Sequence, residues 1–588
     1  MKDRPPDSTS NDTTRELAPT ASSESTLDKT LKPIEKLRRY YHTLRYLKPI
    51  QIYGRLWFRI YRPRPDVRPA PPLRPRTGAW QDPARRPASM TGPQDFHFLN
   101  RAGSLPPADG WNDPAHDRLW LYNLHYFDDL NASGASERKA WHEPLIERWI
   151  RENPPGSGNG WDPYPISLRV VNWIKWALIG SALSEEARHS LAIQTRYLAG
   201  RLEWLHLANH LFANLKALVF AGLYFGGVDG DRWLQMGLRL LKRQLREQIL
   251  ADGGHFERTP MYHSIILEDL LDLLNLTSSF GDTLPLEARP LQQQCRALIP
   301  DMLRWLKTMC HPDGEIAFFN DAAIGIAPAP AEIEAYAQRM GFDTTWAPPD
   351  GMTRLPESGY VRMQRGSAIV LLDVGKLGPD YNLAHAHADT LSFELSLSGQ
   401  RVIVNSGVSL YLPGPQRQWQ RSTAAHNTVV VDGKDSSEVW GAHRVARRAR
   451  PIGLAVQDAP QADLVVRCCH SGYSRLPGSP IHCRTLRLSD SKLEVTDEVQ
   501  GPFSTAEASL YLHPAITVQS QRADALEIAL LARDYFLKMA SNGRRLSLSG
   551  SAYYPEFGLA TPNHRIVWPL GPAPASIHLS WTQIAVEE

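Results

Sequence analysis

Cysteine is scarce. Cys295, Cys310, Cys468, Cys469 and Cys483 are the only thiols in a 588-residue chain. They form no CxxC pair and no evenly spaced framework, which excludes a cysteine-based zinc module and a disulfide scaffold and leaves inert, buried thiols as the expectation. Long apolar runs are missing too. No stretch of about 18 apolar residues is available to cross a bilayer. Residues 1–30 are polar, with neither the apolar segment nor the small-residue cleavage site of a secretory leader. A cytoplasmic location is the default expectation, with periplasmic export left open. Net charge is nearly absent, with 65 Lys+Arg against 62 Asp+Glu, so the basic footprint of a nucleic-acid binder is lacking. What remains is ordinary globular composition, 42% hydrophobic and 22% charged. It is rich in Trp and Tyr, side chains that stack on sugar rings as well as filling cores.

Periodicity divides the chain. Residues 1–30, rich in Ser, Thr, Asp and Pro, read as a disordered tail. Residues 31–108 begin with a basic amphipathic helix pair broken near Pro49, in which Leu37, Tyr41, Leu44, Ile52, Leu56 and Ile60 alternate with Arg38, Arg45, Arg55 and Arg59. Two readings stay open for this pair: peripheral contact with an anionic membrane surface, or packing on the following domain with its arginines in solvent. From Arg62 prolines are dense and an extended connector follows. Residues 109–350 carry helical periodicity in at least seven segments, including Ile166–Ile179, Glu185–Leu205, His210–Phe225 and Tyr262–Ser278, as expected for α-hairpins in a toroid or bundle. Residues 351–588 switch to period two in a dozen short segments bounded by turn residues, the pattern of an antiparallel sandwich. Helices first and strands second point to a groove between the two.

Three polar clusters stand out. Asn209-His210, with Asn214 downstream, and the run from Gly254 to His263 sit at predicted helix starts, where free N–H groups favour anions. His385-Ala386-His387 is placed at a strand entrance, and Ala425-His426-Asn427-Thr428 leads into another strand. Each alone fits a helix cap or a solvated loop histidine. Together they define a candidate site.

The run Gly160-Trp161-Asp162-Pro163-Tyr164-Pro165-Ile166-Ser167-Leu168-Arg169, then Asn209-His210, Gly254-His255-Phe256-Glu257 with Tyr262, His385-Ala386-His387 and His426-Asn427 resembles the heparinase II/III family of polysaccharide lyases. Within it, the chain is similar to heparinase-like proteins of bacterial capsule and exopolysaccharide gene clusters. The resemblance implies an α+β multidomain architecture, an incomplete α/α toroid followed by an antiparallel β-sandwich, and β-elimination on an acidic, uronate-containing polysaccharide. That chemistry needs a carboxylate neutraliser, a base for the C5 proton and an acid for the leaving oxygen.

Carried over by motif, Asn209 or His210 neutralises the carboxylate and His385 is the base. Tyr262 is the acid, or on one epimer also the base. Trp161, Tyr164, Arg169, Asn214, His255 and Glu257 fall in the matching motifs as substrate-binding candidates, and Arg258 is added from its charge and position. The resemblance also implies a structural zinc on His387, Asn405 and His426, and no organic cofactor. Asn405 stands where many relatives have Asp, and a neutral amide is a poorer zinc ligand than a carboxylate. Without the metal, His387 and His426 are expected to hydrogen-bond directly. Two other readings are a glycoside hydrolase using a pair among Asp162, Glu257, Asp321 and Glu394, and a non-catalytic polysaccharide-binding or assembly protein.

Overall fold

The computed structural model describes residues 33–106, 110–459, 462–520 and 526–584; the tail expected at 1–30 lies outside them. The helices are α1 (Pro33–Leu44), α2 (Pro49–Ile60), α3 (Arg118–Tyr126), α4 (Lys139–Glu152), α5 (Pro163–Leu178), α6 (Glu185–Ala199), α7 (Ala208–Tyr224), α8 (Gly227–Gln248), α9 (Pro260–Phe280), α10 (Arg289–Thr308) and α11 (Pro330–Arg339). Their starts follow local chemistry. Asp117 accepts from the backbone N–H groups of Leu119 and Trp120 at the head of α3, Ser184 caps α6, and prolines occupy the first turns of α5 and α9. Helix α9 is buried along nearly its whole length, and its acids Glu268, Asp272 and Asp269 are paired there with Arg86, Lys175 and Lys216.

Every named sheet is antiparallel. A five-stranded sheet runs in chain order through Gly351–Leu355, Tyr360–Arg365, Ala368–Asp373, Phe393–Leu397 and Gln400–Ile403. Ala368–Asp373 and Phe393–Leu397 are buried at every residue, because the sheet is covered on both faces. Tyr360, Ile369 and Leu371 pack on Trp305 and Met309 at the end of α10. Val361, Met363, Val370 and Leu372 pack on an eight-stranded sheet that includes Ile481–Leu488 and Lys492–Gln500. Lys492–Gln500 alternates between buried and half-exposed, the pattern of a sheet with one covered face. A four-stranded sheet that includes Val429–Val431 completes the sandwich.

Three features depart from the sequence reading. Residues 62–108 are not wholly irregular, since Asp95–Phe98 and Arg101–Ser104 pair as a hairpin. Cys469 and Cys483, opposite one another on adjacent strands, form a disulfide, so these two thiols are not inert; spacing alone does not reveal cross-strand register. The histidine pair His385 and His387 lies in the loop before Phe393–Leu397, not at a strand entrance. No helix among the described residues is long and apolar enough to cross a membrane.

Candidate active site

A cavity of about 1130 Å³ opens between toroid and sandwich, with Asn209, His210 and Tyr262 on one wall, His385, Tyr411 and His443 on the other, and α1 and α2 across the top. Helix α7 enters through two left-handed non-glycine residues, Leu207 (φ 57°) and Ala208 (φ 48°). That costly backbone, roughly 1–3 kcal/mol per residue, turns Asn209 and His210 into the cavity. Tyr262 follows Pro260 in the first turn of α9.

Asp321 organises the site. It emerges from an extended segment in which Ile316 and Phe318 enter the toroid core while Ala317 and Phe319 pack against the five-stranded sheet. Asn320, at φ 59°, then turns the chain. The Asp321 N–H donates to the His385 carbonyl, and its own carbonyl accepts from the Thr259 hydroxyl. Its carboxylate is fully buried and receives Arg417 through both guanidinium branches, His385 Nδ1 at 2.9 Å and His387 Nε2 at 2.8 Å. Burial alone would raise its pKa. The Arg417 charge and the hydrogen bonds from both histidines win, and hold it well below the usual carboxylate range.

An ionised Asp321 accepts the His385 Nδ1 proton, so the ring is held through that nitrogen and Nε2 is the one Asp321 does not engage. The Tyr262 ring lies 4.2 Å from the His385 ring, centroid to centroid, and its hydroxyl is 3.2 Å from that of Tyr411. Burial, reinforced by Tyr411, pushes the Tyr262 phenol well above its usual value, so it keeps its proton. His210 Nδ1 donates to Glu203 at 3.1 Å, and Asn214 also binds that carboxylate. Burial would lower the His210 pKa, but Glu203 raises it. The balance favours the protonated imidazole beside the Asn209 amide. Glu257 lies behind this wall, accepting from the Asn209 N–H at 3.2 Å and 3.7 Å from His385 Nε2.

The structure thus brings Asn209, His210, Tyr262, His385 and Tyr164 to one cavity and sets several other candidates outside it. Arg258 donates to the carbonyls of Lys376 and Glu357, joining the domains instead of facing a substrate. Arg169 is fully buried, bound to Gln194 and to the carbonyls of His125 and Gly160. Trp161, Asn214 and His255 are buried likewise, donating to Asn153, to Ser167 and Glu203, and bonding Gln248, respectively. These motif residues build the wall. The sequence reading missed Arg417, Tyr411 and Glu203, and weighed Asp321 only as a hydrolase carboxylate. The available signal was one Asp inside the apolar run Ile316 to Ile326, since a buried charge demands partners.

His387 Nδ1 and His426 Nε2 face each other at 3.2 Å, while Asn405 Oδ1 meets the other nitrogen of His426, Nδ1, at 3.2 Å. The three are strung in a line. One ion between the imidazoles would not touch Asn405, because the two ring nitrogens of His426 point to opposite sides. These residues do not fit a shared zinc. Of the four carboxylates weighed for hydrolysis, only Asp162 lines the cavity, and it is paired with Arg118 at 2.8 Å.

A helical toroid docked on stacked antiparallel sheets, with a histidine–tyrosine pair in the cleft between them, defines a toroid-plus-sandwich protein. Residues 138–338 match the model described as heparinase II/III N-terminus and residues 347–579 that of heparinase II/III-like, C-terminal. The chain belongs to the heparinase II/III family. It is 27% identical over 469 residues to FtsZ-localized protein C of Caulobacter vibrioides, covering 77% of this chain and 76% of that one. It is 24% identical over 324 residues to a heparin-sulfate lyase of Pedobacter heparinus, covering 49% and 47%, so it spans about half of that relative. Among solved structures, a crystal structure of heparinase III superposes with a TM-score of 0.64 at 16% identity, covering 82% of this chain and 80% of that one.

Proposed function

We propose that the protein is a polysaccharide lyase that cleaves a uronate-containing acidic polymer, of the bacterial exopolysaccharide class, by β-elimination. The observation that carries this reading is His385, held through Nδ1 by Asp321 at 2.9 Å, facing the Tyr262 ring at 4.2 Å in one cleft. The uronate carboxylate meets His210 and Asn209, which withdraw charge and acidify C5–H. His385 Nε2 takes the C5 proton, the electron pair forms the C4–C5 double bond, and the C4–O bond breaks as Tyr262 gives its proton to the leaving oxygen. The raised Tyr262 pKa suits it to the acid role and not to the base role. Asp321 keeps His385 in the required tautomer and stabilises the imidazolium that forms. The Cys469–Cys483 disulfide supports action in an oxidising compartment, where such polymers reside, over the cytoplasm.

A non-catalytic role is the second reading, favoured by a relative named for localisation with FtsZ. The test is ultraviolet absorbance of the conjugated unsaturated uronate during incubation with acidic polysaccharides, with Tyr262→Phe and His385→Ala alongside. A rise abolished by both substitutions supports the lyase. New reducing ends without absorbance move the assignment to hydrolysis, and binding of polymer without either product leaves a binding protein.

A further inference from the structure

Helices α1 and α2 are built inside out. In α1, Ile34, Leu37, Tyr41 and Leu44 follow the spacing of a single helical stripe, and in α2 Tyr53, Leu56, Trp57 and Ile60 do the same. In a soluble domain such stripes face the core. Here they face solvent, with exposures from 82% at Ile34 to 48% at Leu44 and from 72% at Ile60 to 56% at Trp57. Eleven of the twenty-three large apolar side chains exposed among the described residues lie between Ile34 and Tyr61, far above the scatter a soluble surface carries.

The opposite, more polar face is the docked one. The Thr43 hydroxyl accepts from Trp440 Nε1 and shares its proton between the Arg39 carbonyl of its own helix at 2.8 Å and the Val445 carbonyl at 3.3 Å. Tyr40 packs edge-on against Trp440, Gln51 donates to the Tyr381 carbonyl, and Gly54 lies against Trp204 and Leu205. The pair is therefore anchored to both domains, and its apolar side is left over. Seven Lys and Arg lie between Pro33 and Tyr61 against one acid, Glu35. Arg39 pairs with Glu35 at 3.3 Å, Lys48 with Glu247, and Arg55 lines the cleft, which leaves Lys36, Arg38, Arg45 and Arg59 without a carboxylate partner among the described residues, beside the apolar stripe. Under α2 the apolar surface continues inward as a cavity of about 230 Å³ lined by Trp57, Phe58, Trp204 and Met236 beside Arg201 and Arg239.

We infer that this face docks on an anionic phospholipid surface, with both helices lying in the plane of the interface. Charge selects that occupant. Stacking two copies of the face would oppose like charges, whereas acidic headgroups complement them. Trp57, Tyr53 and Tyr41 are the side chains that settle at a headgroup boundary. The same helices, with Leu47 in the turn between them, roof the proposed catalytic cleft through Tyr40, Thr43, Gln51 and Phe58. Docking therefore holds the cleft about one helix diameter, roughly 10–12 Å, from the lipid. The lipid contact itself does not depend on the lyase reading.

The test is co-sedimentation of the full chain with vesicles of phosphatidylcholine alone and of phosphatidylcholine mixed with phosphatidylglycerol. The expected result is binding about tenfold tighter or more to the mixed vesicles, weakening as salt shortens the screening length. Leu56→Glu/Ile60→Glu, both exposed and outside either cavity, is expected to lose that binding about tenfold or more with an unchanged circular dichroism spectrum and melting point. Absence of sedimentation with both vesicle types overturns the inference, as does a double variant that still binds. A concentration-dependent dimer that the double variant dissolves, without vesicle binding, assigns the face to self-association instead.

Discussion

Replacing Asp321 by Asn tests whether one buried carboxylate sets both the stability of the domain junction and the tautomer of the base. Oδ1 accepts from Arg417 and His387, and Oδ2 accepts from Arg417 and His385. An amide must put its NH₂ at one of these places, where it opposes a guanidinium N–H. Arg417 is fully buried, and removing its counter-charge costs about 3–5 kcal/mol, a large share of the ~5–15 kcal/mol that folded proteins possess. If the NH₂ takes the Oδ2 place, it donates to His385 Nδ1, and the ring proton moves to Nε2. The base is then blocked, and kcat falls about 10³–10⁴-fold while KM changes little.

Urea denaturation measures the first quantity, and unsaturated-uronate absorbance per folded molecule the second. The nitrogen chemical shifts of His385 report the tautomer directly, which a merely structural role would not move. Linkage gives the pH dependence. The folded pKa of Asp321 is depressed, so its contribution to stability is complete above the unfolded value near ~4 and is lost as pH falls below it. A fully folded Asp321→Asn protein with kcat within about threefold of the parent refutes the reasoning, since the expected loss is orders of magnitude larger.

Glu203→Gln removes the charge that raises the His210 pKa; KM for an acidic polymer rises about tenfold near neutral pH, and the penalty shrinks on acidification as His210 regains its proton. An unchanged KM across that range removes His210 from carboxylate recognition. Elemental analysis of the purified protein is expected to find no stoichiometric zinc, and chelator treatment to leave the melting point unmoved; one zinc per chain, lost in His426→Ala, refutes the linear arrangement of His387, His426 and Asn405. Reducing the Cys469–Cys483 bond opens a link with a sequence separation of 14, and costs roughly 3 kcal/mol on loop entropy. Peptide mapping without reductant checks that the bond forms, and a midpoint unaltered by Cys483→Ser rejects its structural role.

The toroid was readable where apolar spacing was continuous: the segment expected at Tyr262–Ser278 is α9, Pro260–Phe280. Glu185–Leu205 was read too long, because α6 ends at Ala199 and the chain runs to α7 through turns. Ser547–Tyr553 was missed for a physical reason. Its sequence, SLSGSAY, is small, polar and mostly uncovered, so the two faces do not differ in hydrophobicity. Motifs located His385 and Tyr262. They could not distinguish side chains that meet substrate from those that build the wall, since Arg169 and Asn214 share motifs with cavity residues yet are fully buried.

Arg258 shows what that distinction means mechanically. Its left-handed backbone, φ 59°, directs its carbonyl to the Tyr360 hydroxyl and the Asn320 amide, while its side chain reaches Lys376 and Glu357 in the sandwich. Two residues earlier is Phe256, and four residues later is Tyr262. Asn320, held by Arg258, accepts from the His387 N–H and precedes Asp321. A positive charge that reads as a substrate contact in one dimension is thus the tie between Tyr262 on α9 and His385 in the sandwich loop. Hydrogen bonds from both domains hold the Tyr262–His385 separation, so the proposed catalytic pair is positioned before substrate arrives. Substitutions at Arg258 should therefore lower kcat by misplacing those rings and leave the affinity for polymer nearly intact.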